Sequence, residues 1–385
     1  MSPIKKLTTL GQAVWLDAIS RELIDSGKLQ SLIQEDGISG LTSNPAIFEK
    51  AITGSQNYSE AIAAIAGEPN RSNEAVYEHL AITDIREAAE LLQPLYKSSN
   101  QRDGYVSLEV SPRLANDTQA TVTAAKRLWQ QVDRPNLMIK IPATPEGLPA
   151  IETLIAEGLN INVTLLFSVP IYEQVAERYL RGLEKRQQSG KPLNQCASVA
   201  SFFLSRIDSH VDQEIDSRLG TLKESESPSL KYLRGEAAIA SARLAYQAWK
   251  RIFSGKRWQK LEALGARAQR LLWASTSTKN PAYDDVRYLE QLIGAESVTT
   301  VPLTTLDAYR DHGHPHLTLE NALNTATANL DRLALFNIDL VRITDELLRD
   351  GLRKFDDAYT RLLDAVAAAR IEGQNNQQDA TALRP

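Results

Sequence analysis

The chain has 385 residues, 43% of them hydrophobic, which is enough for a sizeable core, and its net charge of -5 disfavours nucleic acid or an anionic membrane as the main partner. No apolar run approaches the roughly 18 residues of a membrane span. Residues 1–10 carry no apolar signal segment, and the one cysteine, Cys196, leaves no internal disulfide. A cytoplasmic protein is expected.

In chain order, short apolar runs at 13–17, 38–44, 105–110, 137–141, 161–167, 197–203, 271–275 and 297–301 read as strands. Between them the spacing predicts helices over 117–132 capped by Asn116, 145–157 behind Thr144 and closed by Gly158, and 170–186 behind Ser168. Further helices are expected over 233–253 and over 281–293, the latter closed by Gly294. Eight strands separated by helices predict an α/β chain folded as a (β/α)₈ barrel. The structural alternative, a doubly wound open sheet, lacks its Gly-rich dinucleotide turn: no G-x-G-x-x-G follows a strand. Segment 220–231 (GTLKESESPSLK) reads as a polar surface loop, and about 318–369 as helices packed over the barrel's outside or mouth. Residues 1–372 form one predicted domain, and 373–385 a polar, disordered tail.

Lys140 is the least expected residue. It lies in Leu137-Met138-Ile139-Lys140-Ile141-Pro142, a run that otherwise reads as a buried strand. A lysine there either reaches solvent from the strand end or is held inside, where desolvation makes it an amine nucleophile able to form a Schiff base with a carbonyl. Strand parity favours the second reading. Side chains two apart share a face, so Ser107 pairs with Glu109, Asn162 with Thr164, Thr42 with Asn44, and Ser201 with Phe203; Asp17 shares a face with Trp15. Each polar group falls near the C-terminal end of its strand, where a barrel gathers its active site.

Several of these residues also have an ordinary structural reading. Glu109 has Arg113 nearby as an ion-pair partner, Asn162 and Thr164 can fill the barrel as a polar layer, and Asp17 or the Thr42–Asn44 stretch can cap a helix. Structure alone does not account for a lysine, two carboxylates and an amide–hydroxyl pair on one inward face, since together they form a proton-transfer set. His312-Gly313-His314-Pro315-His316 has the look of a metal tract. It sits in a Gly/Pro loop rather than on fixed elements, so no metal is expected there.

The ordered stretches VWLD (14–17), GLTSNP (40–45), VSLEV (106–110), IKIPAT (139–144) with Glu146-Gly147, and NINVTLLF (160–167) resemble transaldolases, most of all the longer bacterial branch. The resemblance implies a barrel without cofactor that transfers a dihydroxyacetone unit between sugar phosphates. It puts the Schiff-base lysine on Lys140, acid/base groups on Asp17 and Glu109, and Thr164 beside a catalytic water. Substrate contacts fall on Asn44, Asn162, Thr42 and Ser201, the inward aromatic on Phe203, and the first phosphate-binding arginine on Arg206. Where many members carry a second arginine after strand seven, this chain reads Ser277-Thr278-Lys279-Asn280, so Lys279 is the expected substitute. Asp208 or Asp212 is a rival partner for Arg206 on a helix surface. Two alternatives to the transferase remain: a fructose-6-phosphate aldolase, whose chains are usually much shorter, and a non-catalytic sugar-phosphate sensor. Small-molecule sugar phosphates are the expected partners, with monomer and homodimer both left open.

Overall fold

A computed structural model describes residues 2–53, 56–66, 71–220 and 227–382. Eight strands pair in parallel and in sequence order, and the first pairs with the last, closing a barrel. They are β1 (Gln12–Leu16), β2 (Gly40–Leu41), β3 (Tyr105–Glu109), β4 (Leu137–Pro142), β5 (Ile161–Leu166), β6 (Ser198–Phe203), β7 (Arg270–Ala274) and β8 (Ser297–Val301). The strands match the sequence reading to within a residue or two, except β2. There only two of the residues 38–44 pair as strand, although Ser39 N donates to Val14 O at 2.8 Å and Thr42 N to Leu16 O at 2.9 Å. This segment therefore follows β1 with two further backbone bonds and leaves the ladder early.

The barrel interior explains one glycine. Gly40 faces inward, and a Cβ there would lie 2.6 Å from the Trp15 indole, which is fully buried and packs against Tyr105 at 6.3 Å. Gly40 thus leaves room for the aromatic layer beneath the mouth. Between β5 and β6 the register shifts from Val163 to Leu166, and Leu165 takes a left-handed φ of +59°. Such a bulge bends its strand just after Thr164.

Helix ends follow local capping chemistry. Ser168 caps Val169–Gln188 by accepting from Ile171 N, and Gly158 closes Gly147–Glu157 in the left-handed conformation, both as expected. Thr144 Oγ1 accepts from Gly147 N at 2.9 Å, so that helix begins two residues later than predicted. Asp117, not Asn116, caps Thr118–Val132, accepting from Ala120 N at 2.9 Å; its charge also suits the helix N-terminus. The helix expected over 281–293 is reduced to one turn, Arg287–Glu290. Asn280 accepts from Ala282 N and Asp284 from Val286 N, and these local bonds hold the segment in turns instead.

After β8, helices cover the barrel as expected. The longest, Leu340–Ala382, packs on Pro45–Thr53, Ser59–Ala66 and Asn73–Ser98, burying Leu347, Phe355, Tyr359, Leu362 and Val366. Its backbone is helical through Ala382. Residues 383–385 lie outside the described residues, as do 221–226 of the expected polar loop; Ser227–Lys231 forms a short helix. No helix among the described residues is long and apolar enough to cross a membrane.

Candidate active site

The C-terminal ends of the strands open into a cavity of about 400 Å³. Its lining includes Asp17, Thr42, Asn44, Lys140, Ser201, Phe203, Arg206 and Lys279, eight of the residues singled out in the sequence. The other three, Glu109, Asn162 and Thr164, do not line it. Strand register sets Lys140 between Glu109 on β3 and Asn162 on β5, with Thr164 one pleat further along.

Lys140 does not reach solvent. It is 3% exposed, and Nζ lies 3.2 Å from Glu109 Oε2 while donating to Ser43 O at 3.1 Å. The Ser43 carbonyl is held in turn, because Ser43 Oγ donates to Ser107 O at 2.7 Å. Glu109 is equally enclosed. Burial raises its proton affinity above the ordinary carboxylate range, and the Lys140 charge pulls it back. Arg113 is not its partner: that guanidinium bonds Asp356 at 3.1 Å.

A polar layer supports the lysine. Asn162 Nδ2 donates to Ser107 Oγ at 3.0 Å, and Ser201 Oγ donates to Asn162 Oδ1 at 2.7 Å. Asn162 therefore does fill the barrel, as its structural reading required, while fixing Ser201 at the cavity wall. The Thr164 hydroxyl is buried with no hydrogen-bond partner among the described residues. Asp17 caps no helix, since Ser20 caps Arg21–Asp25. Its Oδ1 accepts from Thr42 Oγ1 at 2.6 Å, and Thr42 shares a 2.7 Å bond with Thr300 on β8. Asn44 meets both of its readings. Its carbonyl oxygen accepts from Ile47 N at 3.0 Å, capping Pro45–Thr53, which leaves its NH₂ group for a ligand.

At the outer end, Arg206 Nη1 is buried with no hydrogen-bond partner among the described residues. Its guanidinium carbon lies 5.4 Å from the Phe203 ring centroid and 5.9 Å from that of Phe355. Burial lowers its proton affinity, opposed by Asp350, Asp17 and Glu109. The rival acids are occupied: Asp208 accepts from Ala238 N and the Tyr288 hydroxyl, and Asp212 from Gly235 N and the Tyr283 hydroxyl. Lys279 sits at the rim, donating to Ser277 Oγ at 2.8 Å. Partial burial, then Arg206 and Lys50, hold its ammonium below the ordinary lysine value.

Among the cavity residues that sequence reasoning missed, three bear on the chemistry. Thr300 carries the same parity signal as the other strand ends and was within reach of it. Lys50, in the last turn of Pro45–Thr53, has no local signature. Phe355 arrives from the long C-terminal helix, and its ring centroid lies 5.7 Å from Lys140 Nζ. That helix comes close because Gly351 has no side chain: a Cβ would lie 3.0 Å from Leu165 Cδ2 and 3.4 Å from Arg206 Nη1.

The histidine tract is remote from this chemistry. Among the described residues, Asp284, Asp285 and His312 could share a metal ion, but all three are exposed and none lines the cavity. His312 Nε2 is engaged by Asp285 at 2.8 Å.

The arrangement is equipped for imine chemistry: a buried amine beside a buried carboxylate, a second carboxylate in the same cavity, and a cationic outer end. Comparisons with known proteins agree. The model of the family described as Transaldolase/Fructose-6-phosphate aldolase matches residues 14–366. The chain is 49% identical over 362 residues to "Transaldolase 2" of Nostoc punctiforme, covering 92% of this chain and 94% of that protein. It is 49% identical over 363 residues to "Transaldolase" of Thiobacillus denitrificans, covering 94% and 99%. With "Transaldolase" of Trichodesmium erythraeum the identity is 45% over 364 residues, covering 94% and 96%. Matched over nearly its whole length, and carrying an enclosed lysine–glutamate pair at the mouth of its barrel, the chain belongs to the transaldolase/fructose-6-phosphate aldolase family.

Proposed function

We propose that this chain is a Schiff-base transaldolase that moves a dihydroxyacetone unit from sedoheptulose 7-phosphate to glyceraldehyde 3-phosphate, giving erythrose 4-phosphate and fructose 6-phosphate. The observation that carries this reading is the contact of Lys140 with Glu109 at 3.2 Å, inside a cavity whose outer end presents the unpartnered Arg206. The cavity's charged lining is four cations, Lys50, Lys140, Arg206 and Lys279, against one carboxylate, Asp17, in a protein of net charge -5. Such a local field suits an anionic substrate.

In the forward direction, the Lys140 amine adds to the C2 carbonyl of the ketose, and the resulting carbinolamine loses water to give a protonated imine. Glu109, with Thr164, moves protons through water in that step. Asp17 then accepts the proton of the C4 hydroxyl. The C3–C4 bond breaks, its electrons pass into the imine to form an enamine, and the aldose leaves. The enamine carbon attacks the acceptor aldehyde, Asp17 returns its proton to the new alkoxide, and hydrolysis frees Lys140. Thr42 holds Asp17 through the 2.6 Å bond, while Asn44, Ser201 and Asn162 address the substrate hydroxyls directly or through one another.

The test has two parts. Incubation with fructose 6-phosphate and borohydride should attach a reduced dihydroxyacetone unit to the peptide bearing Lys140, and Lys140→Arg should lose both adduct and activity, since guanidinium stays protonated. Fructose 6-phosphate with erythrose 4-phosphate should then yield sedoheptulose 7-phosphate and glyceraldehyde 3-phosphate. Release of free dihydroxyacetone instead would make the chain an aldolase, and an adduct on another lysine would remove the mechanism.

A further inference from the structure

We infer that Lys50 is a third phosphate-binding cation of this enzyme, and that it and Lys279 together do the work of an arginine fork. The inference rests on the phosphate being held at Arg206 and Lys279, and it adds a specificity-determining residue to that subsite.

Four observations lead there. Lys50 and Lys279 line the same cavity as Arg206, although they come from the helix Pro45–Thr53 and from the loop after β7. Lys50 and Arg206 both push down the proton affinity of Lys279, so the three positive charges lie within electrostatic reach of one another. No carboxylate pairs with any of the three among the described residues, and two nearby acids are paired with other cations. Glu49, next to Lys50 in sequence, holds Arg361 at 2.6 and 3.0 Å, and Asp350, near Arg206, holds Arg353 and Lys354; Asp17, bonded to Thr42, is the one carboxylate of the lining and acts on Arg206 and Lys279 without pairing with either. Finally, the helix bearing Lys50 is anchored to the reaction centre. Its N-cap is Asn44, and the preceding Ser43 carbonyl accepts from Lys140.

Three like charges left to repel one another are unfavourable until an anion joins them. A phosphate ester carries about two negative charges at neutral pH. Arginine meets such a group with a rigid two-pronged fork, whereas lysine supplies a point charge on a flexible stem. Two lysines approaching from separate elements can contact two phosphate oxygens, which restores the geometry that one lysine lacks. The competing account makes Lys50 a solvated lysine that favours the C-terminal end of its helix through the dipole.

The experiment compares Lys50→Ala, Lys50→Arg, Arg206→Ala and, as a control, Lys97→Ala. Lys97 occupies the last turn of the helix Asn73–Ser98 and does not line the cavity. Two quantities are read: the ratio of kcat/KM for fructose 6-phosphate to that for unphosphorylated fructose, and competitive inhibition by inorganic phosphate. Lys50→Ala should lower the ratio about fivefold, the scale of a partly exposed charge contact, and raise the inhibition constant for phosphate similarly. Lys50→Arg should recover most of both, Arg206→Ala should show a larger loss, and Lys97→Ala none. If Arg206→Ala discriminates between the donors and Lys50→Ala does not, the role of Lys50 is overturned while the phosphate site stands. If Lys50→Ala damages both donors equally, the residue is structural and the inference fails. If neither variant discriminates, the phosphate lies elsewhere and both readings fall.

Discussion

The Phe355 ring centroid lies 5.7 Å from Lys140 Nζ, although four barrel strands separate the two residues in the chain. The same ring lies 5.9 Å from the Arg206 guanidinium, so one aromatic from the C-terminal helix spans the buried Lys140 amine and the cationic end of the cavity. Phe355 thus lines the cavity beside both cations. In the mechanism proposed above the enamine has to meet a second aldose before a proton or water ends the cycle, and an apolar ring beside the amine serves that need.

Replacing Phe355 by alanine should therefore change the outcome of the reaction as well as its speed. Transfer should fall, and the share of free dihydroxyacetone among the products should rise several-fold; Phe355→Leu should lie between. Product analysis with fructose 6-phosphate and erythrose 4-phosphate reads both quantities. An unchanged product ratio in the alanine variant would show that the ring does not govern access of water.

Glu109→Gln and Asp17→Asn should fail at different steps. Loss of an acid/base group costs about 10²–10⁴-fold in rate. Glu109 touches the amine itself, so its variant should form the borohydride-trapped adduct slowly. Asp17 is held by Thr42 and does not pair with Lys140, so its variant should form the imine and accumulate it with the uncleaved ketose. Single-turnover trapping followed by mass measurement distinguishes the two species. Identical trapped species and rates would refute the division.

The pH dependence follows from the enclosure of Glu109. Burial raises its pKa above the ordinary value, so the proton is retained to higher pH and the ionised base appears only above that raised value. The acid limb of kcat/KM should accordingly lie above the roughly 4.3 of a free glutamate, with activity rising as pH increases through it. In Glu109→Gln this limb should vanish from the residual activity. A limb that persists unchanged in the glutamine variant belongs to another group.

Gly40→Ala should destabilise the barrel with little direct effect on chemistry. The added methyl meets the Trp15 indole at 2.6 Å in a fully packed layer, and overpacking of this kind costs about 1–3 kcal/mol. Denaturant unfolding should register the loss, and Trp15→Phe in the same background should recover part of it by removing the clashing ring. Equal stabilities of Gly40→Ala and the parent would mean that the aromatic layer shifts freely.

Much of the site was legible because a barrel turns a one-dimensional pattern into a three-dimensional one. Alternation along 105–110 and 161–167 was enough to bring Ser107, Glu109, Asn162 and Thr164 to the inner face around Lys140, and parallel register did the rest. Thr300 obeys the same rule. Phe355 does not, because its place depends on where a helix outside the barrel docks, and helical periodicity reports only that Phe355 is buried, not against what. Lys50 resembles any other lysine at a helix end until the loop after β7 is seen beside it. The one-turn helix Arg287–Glu290 shows the opposite limit: apolar spacing over 281–293 suggested a longer helix, yet the Asn280 and Asp284 side chains claimed the backbone first.

The helix that carries Phe355 is also the last described element to be translated. All eight strands, Lys140 and Glu109 precede it, so during synthesis the barrel can close with its amine still open to water. Chains fold from the N-terminal end as they emerge, and Leu340–Ala382 can dock only once the residues it packs on, in Pro45–Thr53 and Asn73–Ser98, are in place. Competence for transfer is thus acquired late, when the helix seats Gly351 against Arg206 and Leu165. On the proposed mechanism, a nascent barrel that met a ketose before that moment would cleave sugar before it could pass the fragment on.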